Sequence, residues 1–361
     1  MTDNAELQKL REDINTINDE LVRLLNKRAE VAIEIGRAKQ GAAIYDPVRE
    51  QAVLDAVVAS NEGPLADRPI QAIFKEIIAA CRAIQEPLSV AYLGPEGTYS
   101  EEAARRQCGT TCQFMPYDSI DDAVRAVEAG NSTIAVVPIE NSTEGSVNRT
   151  LDLLQNTSLH ISGEVLLPIH HQLLSKASSL RGITAVSAHP QALAQCREWL
   201  TKHLPGVSLI AASSNAAAAK AATKDSKLAA IAGKAAADTY NLPVLAANIE
   251  DDATNTTRFV VLGRQLSSPS GNDKTSLIWT VANRPGSLQQ ALAVLAAEGV
   301  NMVKLESRPA GGGTWDYSFY VDIDGHETDK AVAKALDKLR DQSVVVKVLG
   351  SYPKGDADAR S

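Results

Sequence analysis

The stretch Leu88-Ser89-Val90-Ala91-Tyr92-Leu93-Gly94-Pro95-Glu96-Gly97-Thr98-Tyr99-Ser100 passes from an apolar run into a polar loop. The run predicts a strand, and the loop leads into a helix beginning near Glu101. The same unit recurs. Ile134–Pro138 leads into Ile139–Ser146, Ala185–Ser187 into His189-Pro190-Gln191, and Leu228–Ala232 into Gly233, while Thr256-Thr257-Arg258-Phe259 begins or precedes a strand at Val260–Leu262. Strands alternating with helices predict an α/β fold over residues 88–265. Helix N-termini at strand ends favour carboxylates, because their N–H groups are unpaired and the dipole attracts an anion. N-capping explains any one such loop. Several converging loops predict a cleft. No Walker loop and no G-x-G-x-x-G occurs, so no nucleotide cofactor is expected.

Working outward, Glu86-Pro87 closes a first segment, residues 1–87, that reads as helix. Apolar residues recur at Leu7, Leu10, Ile14, Ile17, Leu21, Leu24, Val31, Ile35 and Ala38, in steps of three and four, predicting one long helix with a coiled-coil-like seam. Arg28 falls on that seam, where a guanidinium needs an anion, either a structural partner or a visiting ligand. Arg11 and Lys39 lie on the edge of the same seam. At helical rise Arg11 and Lys39 are roughly 42 Å apart, with Arg28 about 25 Å from the first and about 16 Å from the second. No small metabolite bridges the outer pair, so the spacing predicts an antiparallel dimer that exchanges Arg11. Asp46-Pro47 is a strong helix start that places Arg49 and Glu50 in a first turn. A third helix is expected from about Pro69 to Gln85.

On the other side, Gln265–Lys274 reads as a linker. Residues 274–352 then give strand, helix, strand, strand, helix, strand, an α+β ferredoxin-like order. The strands are expected at Ser276–Ala282, Val300–Glu306, Trp315–Ile323 and Val344–Leu349. The helices are expected from Ser287 to Gly299 and over Asp329–Asp341, with a Gly-rich hairpin at Ser307–Thr314. Residues 353–361 are a polar tail.

The chain has 361 residues, 44% hydrophobic and 22% charged, enough for two or three domains. A net charge of −8 with 4% aromatics speaks against nucleic acid or an anionic membrane surface as partner. No apolar run reaches the ~18–20 residues of a membrane span, and no signal peptide is evident. Cys81, Cys108, Cys112 and Cys196 show no zinc spacing, and His170-His171 reads as structural. The expectation is a cytoplasmic protein without a metal.

Three resemblances follow from these residues. The helical segment resembles the all-helical chorismate mutases of the AroQ class through Arg11, Arg28, Lys39, the Asp46/Arg49/Glu50 group and Gln85. That resemblance implies an interlocked dimer in which Arg28, Arg49 and the partner subunit's Arg11 hold two carboxylates. Lys39 and Gln85 would bond the ether oxygen, and Glu50 and Asp46 the hydroxyl end of chorismate. The words GPEGTYS, PIENSTEGS, HPQ and TTRF resemble prephenate dehydratase across the whole α/β segment. They imply two lobes like a type-2 periplasmic binding protein, with Thr257 catalytic. Arg258 would bind or orient a carboxylate, and Glu140, Asn141, Ser142, Gln191 and Phe259 would line the site. RPGSL and ESRP resemble the ACT domains of phenylalanine-inhibited dehydratases. They imply phenylalanine as effector, bound at a dimer interface near Asn283, Gly286, Ser287 and Leu288 and near Glu306, Ser307, Arg308 and Pro309.

Together these imply a bifunctional enzyme, chorismate to prephenate to phenylpyruvate, with no cofactor and a homo-oligomeric assembly. The competing reading is a metabolite-sensing regulator built from the same lobes and ACT domain without catalysis. No basic patch or DNA-binding helix pair supports it.

Overall fold

The computed structural model describes residues 2–39, 45–281, 284–309, 317–343 and 345–355. Asn283, most of the expected hairpin and residues 356–361 of the polar tail lie outside them. The chain divides into two compact units, Met1–Leu88 with Cys108–Gln113, and Ser89–Gln107 with Phe114–Ser361.

In the first unit, α1 (Thr2–Ala38) is the single long helix that the heptad-like seam predicts. Asp46 caps α2 (Pro47–Ala59) by accepting the Arg49 N–H at 3.0 Å, with Pro47 at the first turn. The third helix, α3 (Asp67–Gln85), buries Ile78, Ala79, Cys81 and Arg82. Among the described residues nothing covers the seam of α1: Leu7, Leu10, Ile14, Ile17, Leu21, Leu24, Val31 and Ile35 are between 46 and 59% exposed.

The second unit contains three sheets. The first comprises β1 (Ser89–Leu93), β2 (Gln113–Tyr117), β3 (Ile134–Asn141), the short β4 (Gly145–Ser146), β5 (His160–Pro168) and β11 (Thr256–Gly263), in the order β2-β1-β3-β11-β5 with β4 beside β3. Helices α4 (Tyr99–Cys108), α5 (Ile120–Glu128) and α6 (Asn148–Asn156) belong to it. The second sheet is β10-β6-β9-β7-β8. Its strands are β6 (Gln172–Leu174), β7 (Ala185–Ala188), β8 (Ser208–Ala211), β9 (Leu228–Ala232) and β10 (Val244–Ala246), with helices α7 (Pro190–Gln195), α8 (Arg197–His203), α9 (Asn215–Ala222) and α10 (Lys234–Tyr240). The chain thus crosses between the sheets twice, out after β5 and back before β11.

The third sheet, β13-β14-β12-β15, has ferredoxin-like order. It contains β12 (Asp273–Thr280), α11 (Ser287–Ala297), β13 (Met302–Pro309), β14 (Tyr317–Asp324), α12 (Lys330–Gln342) and β15 (Val345–Pro353). Two expectations move here. The linker gives up Asp273 and Lys274 to β12, and Ser307–Pro309 continue β13 rather than turning. Side-chain alternation splits this sheet. Leu277, Trp279, Val321 and Ile323 face α11 and α12, while Ile278, Tyr320 and Tyr352 join the core of the first sheet. Gly350 permits that contact, since a Cβ there would stand 2.2 Å from the Ile161 carbonyl oxygen of β5.

Candidate functional site

A cavity of about 430 Å3 opens at the two crossings between the sheets. Ile169 and His171 line it from the outward crossing, Asn255 and Thr257 from the return. The crossings are tied together by Ile169 N–H donating to the Asn255 carbonyl at 2.9 Å. The polar loops predicted to converge do so: Thr98 to Ser100 before and within α4, Gln191 on α7, and Ser213 to Asn215 at the start of α9 all line the cavity. Helix starts at α4 and α9 supply N–H groups suited to carboxylates.

Strand pairing explains the placement of Thr257. It stands directly opposite Asn141 in the β11–β3 ladder, so both side chains leave the same face. Asn141 Nδ2 donates to Thr257 Oγ1 at 2.9 Å and to Asn255 Oδ1 at 2.8 Å. Asn141 Oδ1 accepts from the Thr143 and Glu144 N–H groups and from Thr143 Oγ1 at 2.6 Å. The backbone donors fix which way the amide points. Thr257 therefore accepts from Asn141, and its own hydroxyl hydrogen is left for the cavity.

Arg258, one residue on, faces the other way. Its ladder partner is Glu140, and neither residue lines the cavity. Arg258 is 7% exposed, and its guanidinium donates to Glu164 Oε2 at 2.7 Å, Asp322 Oδ2 at 2.6 Å and Tyr352 Oη at 2.9 Å. Burial alone would lower its pKa, but these acidic and phenolic neighbours hold it well above the ordinary value. The expectation that Arg258 binds or orients a substrate carboxylate meets a side chain already engaged by a carboxylate of β5 and another of β14. Glu140 pairs with Lys304 of β13 at 2.8 Å, Phe259 is in the core, and Ser142 Oγ accepts the Thr256 N–H. Of the dehydratase residues read from the sequence, Thr257, Asn141 and Gln191 meet at the cavity.

His171, which the sequence reads as structural, lies at the cavity. It is 2% exposed and contacts Tyr99 Oη and Gln195 Oε1, each at 2.9 Å. Gly233 makes room for the Tyr99 ring, since a Cβ there would lie 2.7 Å from the ring's Cε1. Burial lowers the His171 pKa and raises that of Tyr99, keeping the imidazole neutral and the phenol protonated.

In the helical unit Arg11 and Arg49 are exposed, and Arg28 and Lys39 are half-buried. Gln85 lies against α1 at Gly36, where a Cβ would meet its Oε1 at 2.8 Å, and its Nε2 donates to the Cys81 carbonyl. Glu50 pairs with Arg82, a buried cation absent from the sequence reading, which also donates to the Cys108 carbonyl. In the third sheet Gly286, at φ 84°, precedes α11, and Leu288 packs on the helix-side core. Ser287 Oγ has no partner among the described residues. Glu306 and Ser307 lie on β13 with Pro309 as its last residue, and Arg308 pairs with Asp152 of α6 at 2.8 Å.

A helical unit, a two-sheet α/β unit with a cavity at its crossings, and a ferredoxin-like sheet define a fused enzyme with a regulatory module. Family models agree: Chorismate mutase type II matches residues 10–86, Prephenate dehydratase 90–267 and ACT domain 275–341. A bifunctional chorismate mutase/prephenate dehydratase of Neisseria gonorrhoeae is 46% identical over 95% of this chain and 96% of its own length. Among solved structures, a prephenate dehydratase from Arthrobacter aurescens in complex with L-Phe is 37% identical with TM-score 0.69, covering 75% of this chain and 91% of that one. A structure described as a quorum quenching acylase, GqqA, is 33% identical with the same TM-score, covering 74% and 98%. The chain belongs to the bifunctional chorismate mutase/prephenate dehydratase family.

Proposed function

We propose that the helical unit rearranges chorismate to prephenate and that the cavity between the two sheets converts prephenate to phenylpyruvate, with Thr257 as proton donor. The first reaction needs a compact conformer and cations at the breaking C–O bond, which Arg28, Lys39 and Gln85 suit. The second consumes one proton: prephenate gives up its ring carboxylate as CO2 and its ring hydroxyl as water, leaving phenylpyruvate. The observation that carries the assignment is the Asn141-to-Thr257 hydrogen bond. A hydroxyl that accepts from an amide offers its hydrogen to a ligand. A nucleophilic threonine would instead donate to a base, so the arrangement favours dehydration over acyl transfer.

Gln191 would bind the substrate and Asn141 would hold Thr257 for it, and phenylalanine would be the effector of the third sheet, through the α11 start and Glu306–Pro309. The exposed seam of α1 supports a homodimer in which each mutase site borrows the partner subunit's Arg11. Four unpaired cysteines suit a reducing cytoplasm.

Purified protein fed chorismate should release phenylpyruvate, and less of it with phenylalanine present. Prephenate accumulating without phenylpyruvate would refute the dehydratase assignment, and Thr257→Ala retaining full dehydration would refute the donor. Leu21→Glu should break the α1 seam, with mutase activity lost and dehydratase activity kept. Wild-type mutase turnover by a monomer would rule out the shared site.

A further inference from the structure

The hydrogen bonds around Thr257 do not stop at Asn141. Gln195 Nε2 donates to Thr143 Oγ1 at 3.1 Å, and Thr143 Oγ1 in turn donates to Asn141 Oδ1. Gln195 Oε1 faces His171 Nε2, so the neutral imidazole carries its hydrogen on that nitrogen and presents Nδ1 as an acceptor. Tyr99 Oη lies 2.9 Å from both Nδ1 and the His170 carbonyl, two acceptors that share its one hydrogen. Donation thus runs one way, from Tyr99 through His171, Gln195, Thr143 and Asn141 to Thr257, whose own hydrogen has no acceptor among the described residues.

The route also joins the two sheets across the cavity. Tyr99, Thr143, Asn141 and Thr257 belong to the first sheet and its loops, while Gln195 ends α7 of the second. His171 sits at the outward crossing, its N–H bound by Glu250 Oε2 at 2.8 Å. Were the Gln195 amide reversed, its oxygen would face Thr143 and draw that hydroxyl's hydrogen away from Asn141.

We propose that His171 is a positioning residue for the dehydration. By setting the direction of the Gln195 amide, it ties the second sheet to Thr143 and keeps the Asn141–Thr257 bond aligned, so that the threonine proton points at the bound substrate. The proposal rests on Thr257 being the proton donor. Bonds aligned head to tail polarise one another, which strengthens the last donor.

The test compares His171→Leu, His171→Gln, Gln195→Met and Thr257→Ala in the full chain, with mutase turnover and thermal melting as internal controls. His171→Leu and Gln195→Met should lower kcat for prephenate about tenfold, with KM changed less than about threefold. His171→Gln should recover most of the loss, because its amide can still donate to Gln195. The proposal is overturned if the Leu and Met variants keep kcat within about twofold, if the loss appears wholly in KM, or if Gln is no better than Leu. Should His171→Leu not fold, Gln195→Met decides by the same criteria. Thr257→Ala separates the two ideas. If it loses about 100-fold or more while His171→Leu loses nothing, only the positioning role falls. If it loses nothing, the donor assignment falls and the positioning role falls with it.

Discussion

Arg258, next in the chain to Thr257, donates to Asp322 of the ACT sheet at 2.6 Å, inside a cluster that also holds Glu164, Lys274, Ser276 and Tyr352. Asp322 accepts from Ser276 as well, and Glu164 from Lys274 and the Gly355 N–H. The regulatory sheet therefore supplies the counter-charge for the residue adjoining the proposed proton donor. Removing one member of a buried ion pair strands its partner at a cost of about 3–5 kcal/mol. Asp322→Ala should lower thermal stability accordingly, and dehydratase turnover more than mutase turnover. Equal loss of both activities would argue against a specific link.

The same cluster sets an acid limit. Burial would raise the Glu164 pKa, but Arg258 and Lys274 prevail and hold it below its ordinary value. A carboxyl depressed by folding adds stability above its unfolded pKa, near 4.5, and loses it as pH falls through the lower folded value. Melting temperature should therefore decline below about pH 4.5. Glu164→Gln should flatten that decline while lowering the neutral-pH plateau. An unchanged acid limb in the variant would exclude Glu164 as its source.

Arg308 lies in the segment proposed to meet phenylalanine and is held by Asp152 of α6. If the effector recruits Arg308, cutting the tie should favour inhibition. Asp152→Asn is expected to lower the half-inhibitory phenylalanine concentration about two- to fivefold, the scale of one partly exposed ion pair. A rise would show that the pair assists the inhibited state instead.

Gly36 leaves room for Gln85 beside α1. Gly36→Ala should push that flexible amide aside without unfolding the helix, for which alanine is the better former. Mutase kcat should fall about tenfold while melting temperature holds or rises. Wild-type mutase turnover would mean that Gln85 does not touch the reacting atoms.

Cys112 is half-buried, whereas Cys81, Cys108 and Cys196 are buried. A hydrogen bond from Cys108 and the charge of Arg82, against the opposing effect of burial, bring the Cys112 thiol down to about 7. Iodoacetamide should label Cys112 first, at a rate rising through neutral pH. Mass spectrometry finding another cysteine labelled first would contradict this.

Much of this was legible in the sequence because the signals are local. Heptad steps specify α1, Asp46-Pro47 starts α2, and short apolar runs ending in polar loops mark the strands whose ends meet at the cavity. The motifs PIENSTEGS and TTRF point to Asn141 and Thr257, which both line the cavity. Arg258, read as binding or orienting a carboxylate, faces away from the cavity, as period-two alternation from Thr257 requires. Glu164 left a readable trace, a carboxylate amid the apolar residues of His160–Pro168, which a buried strand tolerates only with a partner. His171 left none. Its contacts Tyr99 and Gln195 stand 72 and 24 positions away, and tertiary packing alone brings them together.

The register of β11 has a consequence for how the enzyme can evolve. Because donor and sensor contact are consecutive residues on one strand, a single-residue insertion before Thr257 would exchange their faces, placing a cation in the cavity and a hydroxyl among buried charges. A one-residue change of length is thus costly at this point. Adaptation of chemistry and of feedback must proceed by substitution, each face answerable to the same backbone.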